Sequence, residues 1–187
     1  MRKLVAFNQV SLDGYFSGTD GDFSWAKTDS DAEFDAFVAG NAKSGGVLIF
    51  GRVTYELMAS YWPTPVALKN DPVVAERMNH LQKIVFSKTL AQASWNNTRL
   101  VRGALATEVR KLKSEPGEDM AILGSGSIIA QLAPEHLIDE FQIVVVPIAL
   151  GGGRTIFDGV TAKLSLKLTS SRTFRNGKVL LCYQPAA

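Results

Sequence analysis

Three short segments combine glycine, hydroxyl and basic side chains in the arrangement an anion requires: Gly51-Arg52-Val53-Thr54, Ser87-Lys88 and Gly124-Ser125-Gly126-Ser127. In the first, Gly51 lets the backbone turn closely after an apolar run. The helix that follows offers free N–H groups and the positive end of its dipole to a phosphate. Arg52 adds a permanent forked cation and Thr54 a hydroxyl. In the second, Ser87 and Lys88 place a hydroxyl and an ammonium just past a strand, a pair suited to a ribose 2′-phosphate. In the third, the glycines allow the backbone to approach a pyrophosphate, again at a helix start. Each segment also has a plain structural explanation: a helix cap with a solvated arginine, a polar strand terminus, and a small-residue turn with a serine cap. Together they argue for an anionic ligand better than any one does.

Other chemistry finds little support. His80 and His136 are far apart in sequence, Cys182 is the single cysteine, and no His–carboxylate spacing suggests a dedicated metal site. There is no G-x-S-x-G elbow. Gly151-Gly152-Gly153-Arg154-Thr155 lacks the spacing and the lysine of a P-loop, and nothing points to a Ser/His/Asp triad.

The chain of 187 residues fits one compact domain over 1–187, and its composition, 46% hydrophobic and 20% charged, is that of a globular protein. A net charge of +2 is too small to argue for nucleic acid or a membrane surface. Cys182 sits in the apolar run Val179-Leu180-Leu181-Cys182-Tyr183 and reads as a buried, inert thiol. The N-terminal segment turns polar too early for a signal peptide, and no apolar stretch approaches membrane-spanning length, so a cytoplasmic protein is expected.

These residues need elements to hold them. Apolar runs predict strands at Leu4–Val10, Val47–Phe50, Lys83–Phe86, Met120–Leu123 and Phe141–Val146, with a weaker one at Thr98–Val101. Asp13-Gly14 breaks the first. Residues 18–29 read as an exposed loop carrying Phe23 and Trp25. Ser30 and Glu33 have capping-box spacing before a helix over Asp31–Lys43, which Gly45-Gly46 ends. Further helices are predicted from Gly51 to Trp62, where Pro63 and Pro65 stop it, from Asp71-Pro72 to Leu81, over Ala104–Lys113, and over Ile128–Leu132. Asn176-Gly177 predicts a hairpin joining Leu164–Phe174 to Lys178–Gln184. Short apolar strands alternating with helices indicate an α/β fold with a mixed, mostly parallel sheet and a C-terminal antiparallel hairpin.

The order of motifs is itself informative. Ser11-Leu12-Asp13-Gly14-Tyr15, Gly51-Arg52-Val53-Thr54-Tyr55-Glu56, Ser87-Lys88 and Leu123-Gly124-Ser125-Gly126-Ser127 resemble the dihydrofolate-reductase-like superfamily. Leu137-Ile138-Asp139-Glu140-Phe141, Val146-Pro147-Ile148-Ala149-Leu150-Gly151-Gly152-Gly153 and Ile156-Phe157 are similar more specifically to the riboflavin-biosynthesis reductase (RibD) C-terminal domain family. The likeness runs from Lys3 to Tyr183.

The resemblance implies a three-layer α/β/α domain with NADPH lying across the carboxyl ends of the strands. On it, Gly51, Arg52 and Thr54 would bind phosphates, and Ser87 and Lys88 the adenosine 2′-phosphate. Gly124, Ser125, Gly126, Ser127 and Ile128 would wrap the pyrophosphate. Strand residues from Ala6 to Gln9, Asn8 among them, would face the nicotinamide and substrate together with Phe16. It also implies a homodimer. Two departures stand out. Lys88 replaces the arginine common in dihydrofolate reductases, so a point charge stands in for a bidentate fork. The glycine loop continues Ser127-Ile128-Ile129 without their usual tyrosine, which moves the chain toward the riboflavin-type branch.

Counting back from Gly51, Asp35 falls where dihydrofolate reductases carry the helix carboxylate that promotes substrate protonation. Asp31, Glu33 and Asp35 also suit a helix dipole as an acidic first turn. Asp13, beside the implied nicotinamide, is a second acid candidate or a turn former, and Phe23, Trp25 and Trp62 could line a pocket for a planar ring. The expected function is hydride transfer from NADPH to a C=N or C=O bond of a small heterocyclic or sugar-derived substrate. Two alternatives remain open: a non-catalytic nucleotide-binding or regulatory protein on the same fold, and a flavin-binding module.

Overall fold

The apolar runs become the inner strands of one sheet. The computed structural model describes residues 1–27, 29–43 and 46–186. Its strands are β1 (Leu4–Ser11), β2 (Tyr15–Ser17), β3 (Val47–Gly51), β4 (Gln82–Phe86), β5 (Thr98–Val101), β6 (Met120–Leu123), β7 (Glu140–Val146), β8 (Arg154–Thr155), β9 (Leu166–Thr173) and β10 (Val179–Pro185). Eight of them form a sheet in the order β5-β4-β3-β6-β1-β7-β10-β9. Strands β5 through β7 in that order are mutually parallel, and β10 runs antiparallel to both β7 and β9.

The helices are α1 (Ala32–Lys43), α2 (Arg52–Tyr61), α3 (Pro65–Asn70), α4 (Pro72–His80), α5 (Leu105–Ser114) and α6 (Gly126–Leu132), with a single 3₁₀ turn at Ser24–Ala26. Alternation along the strands divides the apolar side chains between two layers. In β3, Val47 and Ile49 join Val109 and Leu112 of α5 and Ile128, Ile129 and Leu132 of α6 on one face. Leu48 and Phe50 join Tyr55 of α2, Met78 of α4 and Trp95 on the other. Further along that second face, Phe34 of α1 packs with Val144, Phe174, Leu180 and Cys182. Helices therefore cover both faces, which is why β3 and β6 carry no polar side chain.

Four local expectations change. Asp31, not Ser30, caps α1: its Oδ1 accepts from the N–H groups of Glu33 and Phe34, at 2.9 and 3.2 Å. An Asp one residue closer supplies the acceptor, and Ser30 Oγ instead lies 3.4 Å from Asp35 Oδ2. Pro63 follows the Trp62 C-cap and ends the preceding helix, while Pro65 opens α3, where the Thr64 hydroxyl accepts from Ala67 N; a first-turn proline loses no helical hydrogen bond. Helix α6 begins at Gly126, so Gly126 and Ser127 belong to its first turn and Ser125 is the residue before it. The short pair β2–β8 has no counterpart among the predicted elements. Of the predicted helix stop Gly45-Gly46, Gly45 lies outside the described residues.

The hairpin closes as foreseen around Asn176-Gly177. Phe174 N donates to Lys178 O, Gly177 N to Phe174 O, and Gly177 takes a φ of +81°. Among the described residues no helix is long and apolar enough to cross a membrane.

Candidate active site

Six parallel strands end on the same side of the sheet, and ligands of open α/β sheets collect there. A cleft of about 2470 Å³ includes that edge and extends past it to Leu48, Asp119 and Met120. Small-ligand pockets run to roughly 1,000 Å³, so the space suits a two-part ligand or a ligand pair. Gly51, Arg52, Thr54, Ser87, Lys88, Gly124 through Ile128, Asn8, Phe16 and Asp35 all line it.

Two of the three anion motifs are tied to each other. Gly51 N donates to Ser125 Oγ at 2.8 Å, and Ser125 N donates to Thr54 Oγ1 at 3.1 Å. Both hydroxyls therefore serve first as acceptors that lock the ends of β3 and β6 together, and each keeps its own proton to offer. The lock holds an unusual backbone: Gly124 and Ser125 both have φ near +60°, and Ser125 adopts it despite its Cβ. Strain of this kind persists where the surroundings over-determine it, typically at a ligand clamp. A side chain at Gly51 would fill the space between the two loops, since its Cβ would lie 3.5–3.6 Å from Ile128, Ser125 and Ser127. Helix α2 has no side-chain cap and no acidic residue in its first turn, leaving its N–H groups for another acceptor. Arg52, half-exposed, pairs with Glu56 at 3.1 Å.

Ser87 Oγ accepts from the N–H groups of Thr89 and Leu90, so it shapes the loop after β4. Lys88 is exposed. Beside it stands a second cation not singled out from the sequence: Arg102 holds the same loop through the carbonyls of Lys88, Leu90 and Ala91, and lines the cleft. Its place at the end of β5, the neighbour of β4, was the available signal.

Strand β1 divides the opposite end. Asn8 follows Leu4 and Ala6 in alternation and faces α6, whereas Phe7 and Gln9 face α1. Asn8 is 3% exposed, and among the described residues neither atom of its carboxamide has a hydrogen-bond partner. Most buried polar groups are paired, so such an orphan needs a reason. Phe16 packs over Gly126, where a Cβ would approach its ring to 3.0 Å. On the α1 side lie Asp35, which is exposed, and Lys178, which is 3% exposed. The Lys178 ammonium donates to Ala26 O at 2.9 Å and to Gln9 Oε1 at 3.2 Å, and rests 4.1 Å from the Phe34 ring centre. Burial pushes it below the ordinary lysine range, while the Asp35 carboxylate pulls it back up. The sequence did hold a sign of this residue: in β10's alternation Lys178 shares a side with the buried Leu180 and Cys182.

Two expected site residues are placed elsewhere. Asp13 is not among the lining residues. Its carboxylate accepts from Ser11 Oγ at 2.6 Å and from the Leu150 and Gly151 N–H groups at 2.7–3.1 Å. The Ser11 hydroxyl first, and then those amides, lower it to about 2, so it is an ionised anchor for the 150–151 loop and not a proton donor. Trp25 also stands off the cleft, its Nε1 donating to Asp22 O and its ring packed edge-on against Phe23; Phe23 and Trp62 line it instead.

Comparison with known proteins addresses the family and the fold. The RibD C-terminal domain model matches residues 2–180. Two Bacillus subtilis (strain 168) proteins without characterized function are similar. YyaP is 29% identical over 97% of this chain and 94% of its own, and YwjB is 30% identical over 92% of each. Among solved structures, a Shewanella sp. PV-4 protein provisionally assigned to riboflavin biosynthesis superposes with a TM-score of 0.74 at 23% identity, covering 99% of both chains. Dihydrofolate reductase from Enterococcus faecalis, solved with NADP(H), gives 0.66 at 16%, covering 99% of this chain and 97% of its own. Acinetobacter baumannii RibD gives 0.69 at 16%, with this chain spanning 58% of it. At these identities the structures speak to fold alone, and the fold is dihydrofolate-reductase-like. The chain belongs to the RibD C-terminal domain family.

Proposed function

We propose that the chain, working as one domain, is an NADPH-dependent reductase of a C=N or C=O bond in a small heterocyclic or sugar-derived substrate. The carrying observation is the cleft itself, which joins a cationic, glycine-lined half at Gly51–Thr54, Lys88 and Gly124–Ile128 to a ring-sized half bounded by Asn8, Phe16 and Asp35. The residues suit a phosphorylated dinucleotide: Gly51 leaves open a gap between the two loops that a Cβ would occupy, and Asn8 offers a buried donor and acceptor to an amide-bearing ring. Arg52 and the α2 N-terminus would hold phosphates, the Gly124 loop the pyrophosphate, and Lys88 with Ser87 the 2′-phosphate. When bound, the dinucleotide supplies hydride. The chain's own residues orient the partners and shield them from water. A homodimer and a cytoplasmic location belong to the same proposal.

Parallel titration with NADPH and NADH, read by quenching of Trp fluorescence, tests it, since Trp62 lines the cleft. NADPH is expected to bind more tightly, and Arg52→Ala and Lys88→Ala are each expected to weaken it about tenfold through loss of a charge-assisted contact of roughly 1.5 kcal/mol. Failure of both dinucleotides to bind would leave the non-catalytic or flavin-binding alternatives.

A further inference from the structure

The corner between β1, α1 and the start of β10 contains a cation that dinucleotide binding leaves unexplained. Lys178 follows the hairpin turn and enters the sheet's α1 face, where the neighbouring inward positions, Leu180 and Cys182, are apolar. A buried ammonium has three N–H donors to satisfy. Lys178 spends two, on Ala26 O and Gln9 Oε1; among the described residues its ammonium makes no third hydrogen bond, and the side chain lines the cleft. The groups facing it are the neutral Gln9 amide from β1, the Ala26 carbonyl from the 3₁₀ turn, and the Phe34 ring and Asp35 carboxylate from α1. Among the described residues, Asp35 is the charge that bears on it. A cation retained in an apolar corner with one unmatched donor beside a ligand cleft is placed to act on a ligand.

We propose that the Lys178 ammonium is the proton donor of this site, with Asp35 keeping it charged and Gln9 fixing its direction. It hydrogen-bonds the heteroatom of the substrate's C=N or C=O bond. As the carbon takes hydride, with a dihydronicotinamide as the reductant that is oxidised, the C=X π pair moves to the heteroatom. That atom takes a proton from Nζ, leaving a neutral amine that water in the cleft reprotonates. Asp35 is then a positioning residue: it acts through Lys178. This rests on the reductase reading above and adds to it the identity of the acid.

The test begins without a substrate. Reductive methylation with ¹³C-formaldehyde and dimethylamine–borane, mapped by mass spectrometry and followed by NMR, asks whether the cleft reaches Nζ. Lys178 is expected to be labelled despite its burial, to titrate below the surface lysines, and to titrate lower still in Asp35→Asn. Lys83, equally buried, is expected to label at least about tenfold more slowly. A Lys178 as inert as Lys83 overturns the proposal. With NADPH and 2-methyl-1-pyrroline as the imine probe, Lys178→Met is expected to lower kcat by about 10²–10³-fold, within the range for a lost general acid. NADPH affinity should stay within about twofold, and Lys178→Arg, which keeps the charge but gives up a proton far less readily, should stay impaired. Wild-type kcat falling as pH rises through the Lys178 titration, with that limb absent in Lys178→Met, supports the role. Unchanged kcat in the folded Met variant sinks it. The two failures are separable: no dinucleotide binding removes the reductase reading, whereas NADPH binding with an inert Lys178 removes only the proton donor.

Discussion

Lys83 and Lys178 are both buried ammonium groups seated over aromatic rings, and they end in different company. Lys83 Nζ donates to the carbonyls of Met78, Asn79 and Leu81 at 2.7–3.2 Å and lies 4.4 Å from the Trp95 ring centre. Three donors meet three acceptors, and the ammonium caps the end of α4. Around it the pairing is equally complete: Asn79 donates to the Trp62 and Ala75 carbonyls and accepts from Trp95 Nε1, while Trp95 N donates to Tyr55 Oη. The cleft end is unfinished by comparison: among the described residues, Lys178 has one spare donor and the Asn8 carboxamide is unpaired. The difference teaches where stability has been yielded to binding: a satisfied network rigidifies, and an unsatisfied one waits for a partner.

The largest expected effect is the pH dependence of the finished corner. Burial lowers the Lys83 ammonium to about 8 from the ordinary lysine value of 10.5. The unfolded chain then binds more protons between those values, so folding stability rises with pH in that window and the burial penalty is fully present below it. The span corresponds to on the order of 3 kcal/mol. Chemical denaturation from pH 7.5 to 10, wild type against Lys83→Met, measures it; a wild-type curve parallel to the variant's would erase the contrast. Lys178 is expected to add a smaller rise because Asp35 opposes its burial, and Asp35→Asn should enlarge that rise.

Next in size, Asn79→Ala strips the partner from Trp95 Nε1 and two donors from nearby carbonyls. It is expected to cost about 2 kcal/mol, the scale for leaving a buried group unsatisfied. Asn8→Leu should do the reverse. Removing an orphaned carboxamide is expected to raise stability by about 1 kcal/mol, or Tm by roughly 2–4 °C, while lowering kcat/KM for any accepted substrate about tenfold or more. Asn8→Leu that destabilises as Asn79→Ala does would show that Asn8 is part of the frame.

Much of this contrast was legible in the sequence and some was not, for physical reasons. The strands β1, β3 and β6 are buried on both faces, so their apolar runs announce them, and the glycine and hydroxyl residues at their ends come together because parallel strands finish on one edge. Residues whose role depends on pairing across the sheet were harder. Lys178 gains its meaning from Gln9 and Phe34, more than 140 positions away, and Arg102 from the loop it holds. Pro65 carries both a stop and a start signal, and only the Thr64 hydroxyl decides for a new helix. The pair β2–β8 depends on Gly153, whose hypothetical Cβ would stand 2.1 Å from Ser17 O; no local pattern of two or three residues reveals so close an approach.

The smallest expected effect concerns Asp13, which separates a frame residue from a site residue at close quarters. Asp13 lies only a few residues from Asn8 and looks, from sequence, like an acid beside the cleft. Its low value, set by the Ser11 hydroxyl and the Gly151 and Leu150 amides, means that the folded state holds the proton less well than the unfolded one. Its contribution is thus present above the ordinary aspartate range and lost as pH falls toward 2. Asp13→Ala should therefore free the two amides, seen as faster hydrogen exchange at Leu150 and Gly151, with little change in NADPH affinity. Exchange there should also quicken in the wild type near pH 2–3, relative to the amides of β3, while the alkaline limb attributed to Lys178 stays in place. If Asp13→Ala instead abolished that limb while leaving exchange at Leu150 unchanged, the acid of the site would lie in the turn after β1. The distinction between finished and unfinished corners would then have to be drawn on the other side of that strand.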